Sequence, residues 1–355
     1  MKKIIGLVLS MVLILSTCLL TSCSSNGKKT LNVYNWGEYI CDGADDTLDV
    51  IKEFEERTGI KVNYQQFQNN EEMYAKLLGG GVNYDVIIPS DYMIGRMIED
   101  DMLEKINFNN IPNYQYVDES FLNREYDPNG EYSVPYMWGT VGIIYNKTMV
   151  ADPVDSWDIL WNEKYKDKIL MFNNARDAIG IGLKKLGYSF NTTDENEIKA
   201  AVEELKKQKP VVRQYVMDEI FNIMIGGEAA LAPYYAGDAV NMIEENPDLA
   251  FAFPNEGVNL FIDAACIPKG AKNKTEAEMF INFLCEKDIN LANCEYLNYS
   301  TVLTNVKDEL SEEKRNNEIS YPAENILNNA EVFNNLPKEI NDLYSEQWIS
   351  LMANS

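Results

Sequence analysis

Five short stretches of the chain carry residue types that could hold a small charged molecule. They are Trp36-Gly37-Glu38-Tyr39, Ser90-Asp91-Tyr92, Asn174-Ala175-Arg176-Asp177, Tyr235-Ala236-Gly237-Asp238 and Phe261-Ile262-Asp263. Four of the five set a carboxylate beside an aromatic ring, and each falls near the end of a strand-like run. The chemistry this suits is capture of an organic cation. Carboxylates balance an ammonium charge in a water-poor site, while ring faces attract it and cover its methylenes. Any one stretch alone reads as a surface turn or a core contact; five together point to a cation site.

Other chemistries are excluded or weak. The chain has no histidine, so Ser-His-Asp and Cys-His catalysis and His-ligated zinc are impossible. Acid–base work by carboxylates, Lys or Tyr stays open. The glycines at 79–81 precede no phosphate-loop pattern and read as a helix stop. Residues 42–53 imitate a calcium loop with Asp42, Asp46 and Glu53, but Ala44 and Thr47 occupy positions that need a ligand and a glycine. No metal and no cofactor are expected. Trp157 and Trp161, four apart, read as a core pair.

The elements that must position these residues alternate between two periods. Leu31 and Val33 alternate with Asn32 and Tyr34, the period of a strand. "KVNYQQF" reads as a second strand and "YDVIIPS" as a third, apolar enough for burial in a parallel sheet. Between the first two, Leu48, Ile51 and Phe54 recur at helical spacing before Gly59. Met73 and Leu77 mark another helix. "YSVPYMWGTVGIIYN" reads as two β-rich runs joined around Pro135 to Gly139. A second series follows: "KILMF", helices over "ARDAIGIGLKKLG" and "DENEIKAAVEELKKQ", then "EAALAPYY", "AFAFP" and "LFIDAACIP". The last hundred residues read as mainly helical. Two α/β lobes follow, with chain crossings near 138 and 262.

The first residues give an address. Lys2 and Lys3 precede an apolar run too short to be read as a spanning helix, and Leu20-Thr21-Ser22-Cys23 has the form of a lipobox. Residues 1–22 are expected to be a lipoprotein signal peptide, Cys23 the lipidated residue, and 23–29 a tether. The expected location is extracytoplasmic, anchored by lipid to the outer face of the cell membrane. The formal net charge of −25 argues against nucleic acid, which binds through Lys and Arg on phosphate. Cys41, Cys266, Cys285 and Cys294 remain in the mature chain; Cys266 and Cys285 in particular read as small buried apolar residues.

At these residues the sequence resembles the spermidine/putrescine-binding proteins of bacterial ABC importers. The resemblance covers about residues 30 to 350 through "YNWGEYI", "TGIKVNY", "YDVIIPSDYM", "DPNGEYSVPYMWGTVG", "LGYSFNTTDENEI", "YYAGDAV" and "IDAACIPKGAKNK". It implies an α/β, two-lobed periplasmic-binding-protein fold of type II, each lobe a sheet flanked by helices, joined by a hinge. Lobe 1 would comprise 30–137 plus about 263–306, and lobe 2 138–262 plus about 307–355. It implies a non-catalytic monomer that captures spermidine, putrescine or both and passes it to a permease. The ligand residues implied are Trp36, Glu38, Tyr39, Ser90, Tyr92, Asn174, Asp177, Tyr235, Asp238, Phe261, Asp263 and Tyr299. The family pattern has threonine at Gly37, aspartate at Asn174, tryptophans at Tyr235 and Phe261, and a polar residue at Phe333. The alternatives are binding of another solute (an amino acid, thiamine or ferric iron), a carboxylate-pair hydrolase, and an adhesin. An amino acid would need an arginine for its carboxylate, and Arg176 is the one candidate in the five stretches.

Overall fold

The computed structural model describes residues 29–353. The expected signal peptide and the lipidated Cys23 lie outside the described residues. Two parallel groups of strands organise the rest. The first contains β1 (Thr30–Trp36), β2 (Lys61–Phe67) and β3 (Val86–Ile87), with β1 parallel to both others. After the long β4 (Ser133–Asn146) come β5 (Ile169–Phe172), β6 (Val212–Val216) and β7 (Leu231–Tyr235), with β5 parallel to β6 and β7. β8 (Leu249–Ala252) pairs with β4, and β9 (Val258–Cys266) joins β3 on one side and β4 on the other. The order across the sheet is β2-β1-β3-β9-β4-β7-β5-β6.

β4 and β9 are antiparallel and lie between the two parallel groups, β9 beside β3 and β4 beside β7. The two crossing positions read from the sequence, Trp138 and Ile262, are partners in the ladder, as are Met137 and Asp263. β4 is one continuous strand rather than two runs. Pro135, which has no N–H to give, is tolerated because the β4–β9 register shifts between Pro135 and Met137. The strand read from "YDVIIPS" contracts to Val86–Ile87, and a strand absent from the sequence reading appears at Val212–Val216.

Several helices begin where a side chain satisfies a free N–H group. Asp49 accepts from the Lys52 amide at 2.9 Å and opens Val50–Thr58; Asn69 accepts from Glu72 at 2.8 Å and opens Asn70–Leu78. Such caps contribute roughly 1 kcal/mol each. Leu48 lies before the first helix, whose buried face is Val50 and Phe54. Helix Lys338–Ala353 returns at the C-terminus to the second group, where Trp348 meets Tyr215 ring to ring at 5.9 Å. The four described cysteines are buried and unpaired.

Candidate functional site

Parallel strands deliver their carboxyl ends to a common edge, the usual location of a ligand crevice in open α/β sheets. Here β1 ends at Trp36, β5 runs into Asn174, and β7 ends at Tyr235. Ser90 follows β3, while Phe261 and Asp263 come from the crossing strand β9. These ends surround a cavity of about 710 Å³, open solvent at its mouth included. Eleven of the twelve ligand residues inferred from sequence line it: Trp36, Tyr39, Ser90, Tyr92, Asn174, Asp177, Tyr235, Asp238, Phe261, Asp263 and Tyr299.

Glu38 does not. It is exposed, with φ of 47° in the left-handed region, and lines a separate groove with Cys41, Asp45, Glu244 and Glu295. Asn174 has a different occupation from that expected: its Oδ1 caps helix Ala175–Lys185 by accepting from the Asp177 amide at 2.8 Å. It therefore fixes the neighbouring carboxylate.

The lining also holds groups the sequence reading did not single out: Gln68, Asn69, Asn70 and Glu71 after β2, Met217 and Asp218 after β6, and Tyr234, Asn259 and Phe333. The signal that could have found most of them is the one already in use, polar residues at a strand's carboxyl end. Asp218 escaped because β6 did. In all, Glu71, Asp91, Asp177, Asp218, Asp238 and Asp263 line the cavity, and no Lys or Arg does.

Aromatic rings form the walls. Tyr39 and Tyr299 meet edge to face at 4.8 Å, Tyr299 and Phe261 at 6.1 Å, and Phe261 and Tyr235 at 5.5 Å. Gly237 permits this packing, because a Cβ there would lie 2.6 Å from the Tyr299 ring. The Tyr235 hydroxyl donates to Asp177 Oδ2 at 3.0 Å, and the Tyr92 hydroxyl donates to Glu71 Oε1 at 2.9 Å.

Burial sets the electrostatics, only partly offset for Asp177 and Asp91 by the Arg176 charge. It pushes the Asp177 carboxyl up to about 6, opposed by the Asn174 and Tyr235 side chains, and Asp263 up to about 6, opposed by Ser90 and Tyr39. Burial holds Asp238 well above the usual carboxylate range despite the Tyr299 hydroxyl beside it. Asp91 is raised by burial too, but it is engaged: its Oδ2 accepts from the Ile262 amide at 3.0 Å, pinning helix Asp91–Glu99 to β9. Three polar atoms of the lining are left over. Asp263 Oδ1, the Tyr39 hydroxyl and the Trp36 indole N–H are buried without a hydrogen-bond partner among the described residues. Native proteins leave few such groups, and these three face the cavity.

Arg176 is turned away from this cavity. Its guanidinium stacks on Phe333 at 4.6 Å and Tyr344 at 5.2 Å, and Nη2 donates to Asn191 and the Asn334 carbonyl. The arginine that an amino-acid carboxylate would require is therefore absent from the site.

Comparison with known proteins agrees with this architecture. The model of the bacterial extracellular solute-binding protein family matches residues 49–320. The spermidine/putrescine-binding periplasmic protein of Salmonella typhimurium is 35% identical over 94% of both chains. Among solved structures, PotD of Streptococcus pneumoniae, a spermidine/putrescine ABC transporter substrate-binding protein, is 36% identical. Its TM-score is 0.76, with 92% of this chain and 99% of that one covered. The TpPotD lipoprotein of Treponema pallidum is 28% identical with a TM-score of 0.80, covering 91% and 99%. The fold is the two-lobed solute-binding one, its work extracytoplasmic binding rather than catalysis, and no helix among the described residues is long and apolar enough to cross a membrane. The chain belongs to the bacterial extracellular solute-binding proteins, and within them to the spermidine/putrescine-binding family.

Proposed function

We propose that this protein captures a polyamine, spermidine or putrescine, between its lobes and delivers it to the permease of an ABC importer. The observation that carries this reading is a cavity lined by six acids and many rings with no Lys or Arg among its lining residues. A protonated polyamine supplies what that lining lacks: ammonium groups for the carboxylates and methylenes for the rings. Asp263 and Asp177 take ammonium groups, with Asp238 completing the set. Trp36, Tyr39, Tyr92, Tyr235, Phe261 and Tyr299 enclose the chain, Ser90 adds a hydroxyl, and Asn174 holds Asp177 in place. Glu38 contributes only to the negative field around the mouth.

The lobes in this reading are residues 30–137 with about 263–306, and 138–262 with about 307–355. They close about β4 and β9 like a hinged clamp. The ladder pairing of Trp138 with Ile262 and the packing of the C-terminal helix near β6 support that division. The chain acts as a monomer, held to the outer face of the membrane by lipid on Cys23. The lipobox at Leu20–Cys23 supports the anchor, and the Treponema pallidum relative is itself described as a lipoprotein.

Thermal unfolding of the mature chain, refolded free of ligand, tests the reading. Spermidine or putrescine should raise the midpoint by mass action, while arginine and thiamine should not. No shift with any polyamine would overturn it.

A further inference from the structure

Gly37 has no conformational need to be glycine, since its φ lies outside the left-handed region. Its constraint is spatial. A Cβ built there would stand 2.4 Å from Asp218 Oδ2 and 3.3 Å from Asp218 Cγ, so any other residue displaces that carboxylate from its present position. Asp218 itself follows β6, and its Oδ2 accepts from Gln68 Nε2 at 3.1 Å. Gln68 follows β2. These are the two outermost strands of the sheet order, and the bond joins their ends across the cavity.

The cavity acids fall into two electrostatic groups. Asp177 feels Glu71, and Asp263 feels Asp177; Asp238 feels Asp218 and Glu38. Asp218 and Asp238 line the same cavity, Gln68 beside the first and the Tyr299 hydroxyl beside the second. Two carboxylates in that relation repel unless one is protonated or a cation lies between them.

We propose that Asp218 is a ligand-binding carboxylate of this chain, forming with Asp238 a seat for one protonated amine, and that Gly37 is the small residue that makes room for it. The proposal rests on the polyamine reading of the cavity and adds a second charged seat beyond the one at Asp177 and Asp263. A ligand spanning both seats needs ammonium groups at both ends, which a triamine provides with one to spare.

Calorimetric titration with spermidine tests this. Asp218→Asn keeps an oxygen to accept from Gln68 but removes the charge. It should weaken spermidine at least tenfold while leaving the midpoint of the ligand-free protein at or above wild type. Gly37→Ala should weaken spermidine by displacing Asp218, and in an Asp218→Ala background it should add no further loss, the non-additivity of two residues acting on one contact. Spermidine affinity of Asp218→Asn within twofold of wild type would overturn the proposal and leave Asp218 as a latch to Gln68. Full additivity of the two alanine changes would overturn the role of Gly37. Failure of the wild-type protein itself to bind spermidine or putrescine would instead overturn the polyamine reading.

Discussion

Two buried carboxylates of this molecule have opposite fates. Asp85, fully buried beside β3, accepts from the backbone N–H groups of Asn32, Lys272 and Asn273 at 2.9 to 3.1 Å, and from the Asn273 side chain at 3.1 Å. It ties β1 to the approach of helix Lys274–Leu284. Asp263, 4% exposed, has one oxygen with no partner at all. Each has lost its water, but only the first has been repaid from within the chain. A saturated carboxylate is part of the scaffold, whereas an unsatisfied one in a cavity is left able to meet a cation. Glu38 is the third case, exposed and still hydrated.

The comparison can be broken at Asp85. Asp85→Ala leaves three part-buried backbone donors without their acceptor, so urea unfolding should show a loss of about 1–3 kcal/mol, with or without polyamine. Asp263→Asn should invert that pattern. Ligand-free stability should hold or rise, while polyamine affinity falls by roughly 2–5 kcal/mol, the cost of removing one partner of a buried charge pair; unchanged affinity would remove Asp263 from the site.

A pH titration sharpens the same contrast. Asp177 and Asp263 have folded values near 6, above those of the unfolded chain. Their contribution to the stability of the free protein is therefore present below about pH 4 and is lost as pH rises through about 6. Polyamine affinity runs the other way, because the ligand needs the ionised forms. It should fall about tenfold per carboxyl between pH 7 and pH 5, read by calorimetry, and should level off above pH 7. A flat profile would mean that neither group meets an ammonium.

Smaller effects test the wall and the rim. Tyr235→Ala removes a ring and the hydroxyl bound to Asp177, and should weaken binding by about 1–2 kcal/mol, the scale of a desolvated cation–π contact. Glu38→Gln should change affinity by less than about 0.5 kcal/mol, since its charge is exposed and screened. A larger loss would bring Glu38 back into contact with the ligand.

Much of the site was legible in the sequence because one local rule located it. Rings at the carboxyl end of β1, an acid past β5, and both acids and rings at the ends of β3 and β7 line the cavity as expected, while Glu38 past β1 does not. The rule failed where the strand itself went unread. β6, "VRQYV", has only Val216 buried and carries Arg213 and Gln214 exposed. This edge strand shows no apolar run, and Asp218 was lost with it. β4 was divided because proline suggests a break, and only the pairing with β9 shows how the register absorbs it.

By itself the sequence determined the alternation of strand and helix, the cationic chemistry of the site and the exclusion of histidine-based catalysis. These follow from residue types and short-range periodicity. Tertiary structure alone decided which carboxylates became unsatisfied. Asp85 directly precedes an apolar strand and Asp263 lies within one, and the apolar neighbours of each in the chain do not reveal its partners. The donors that saturate Asp85 come partly from Lys272 and Asn273, almost two hundred residues away. The space that admits Asp218 is set by a glycine on the far side of the cleft. Whether a charge is hydrated, paired or waiting for a ligand depends on what the fold packs around it, and that is a property of distance in space rather than in sequence.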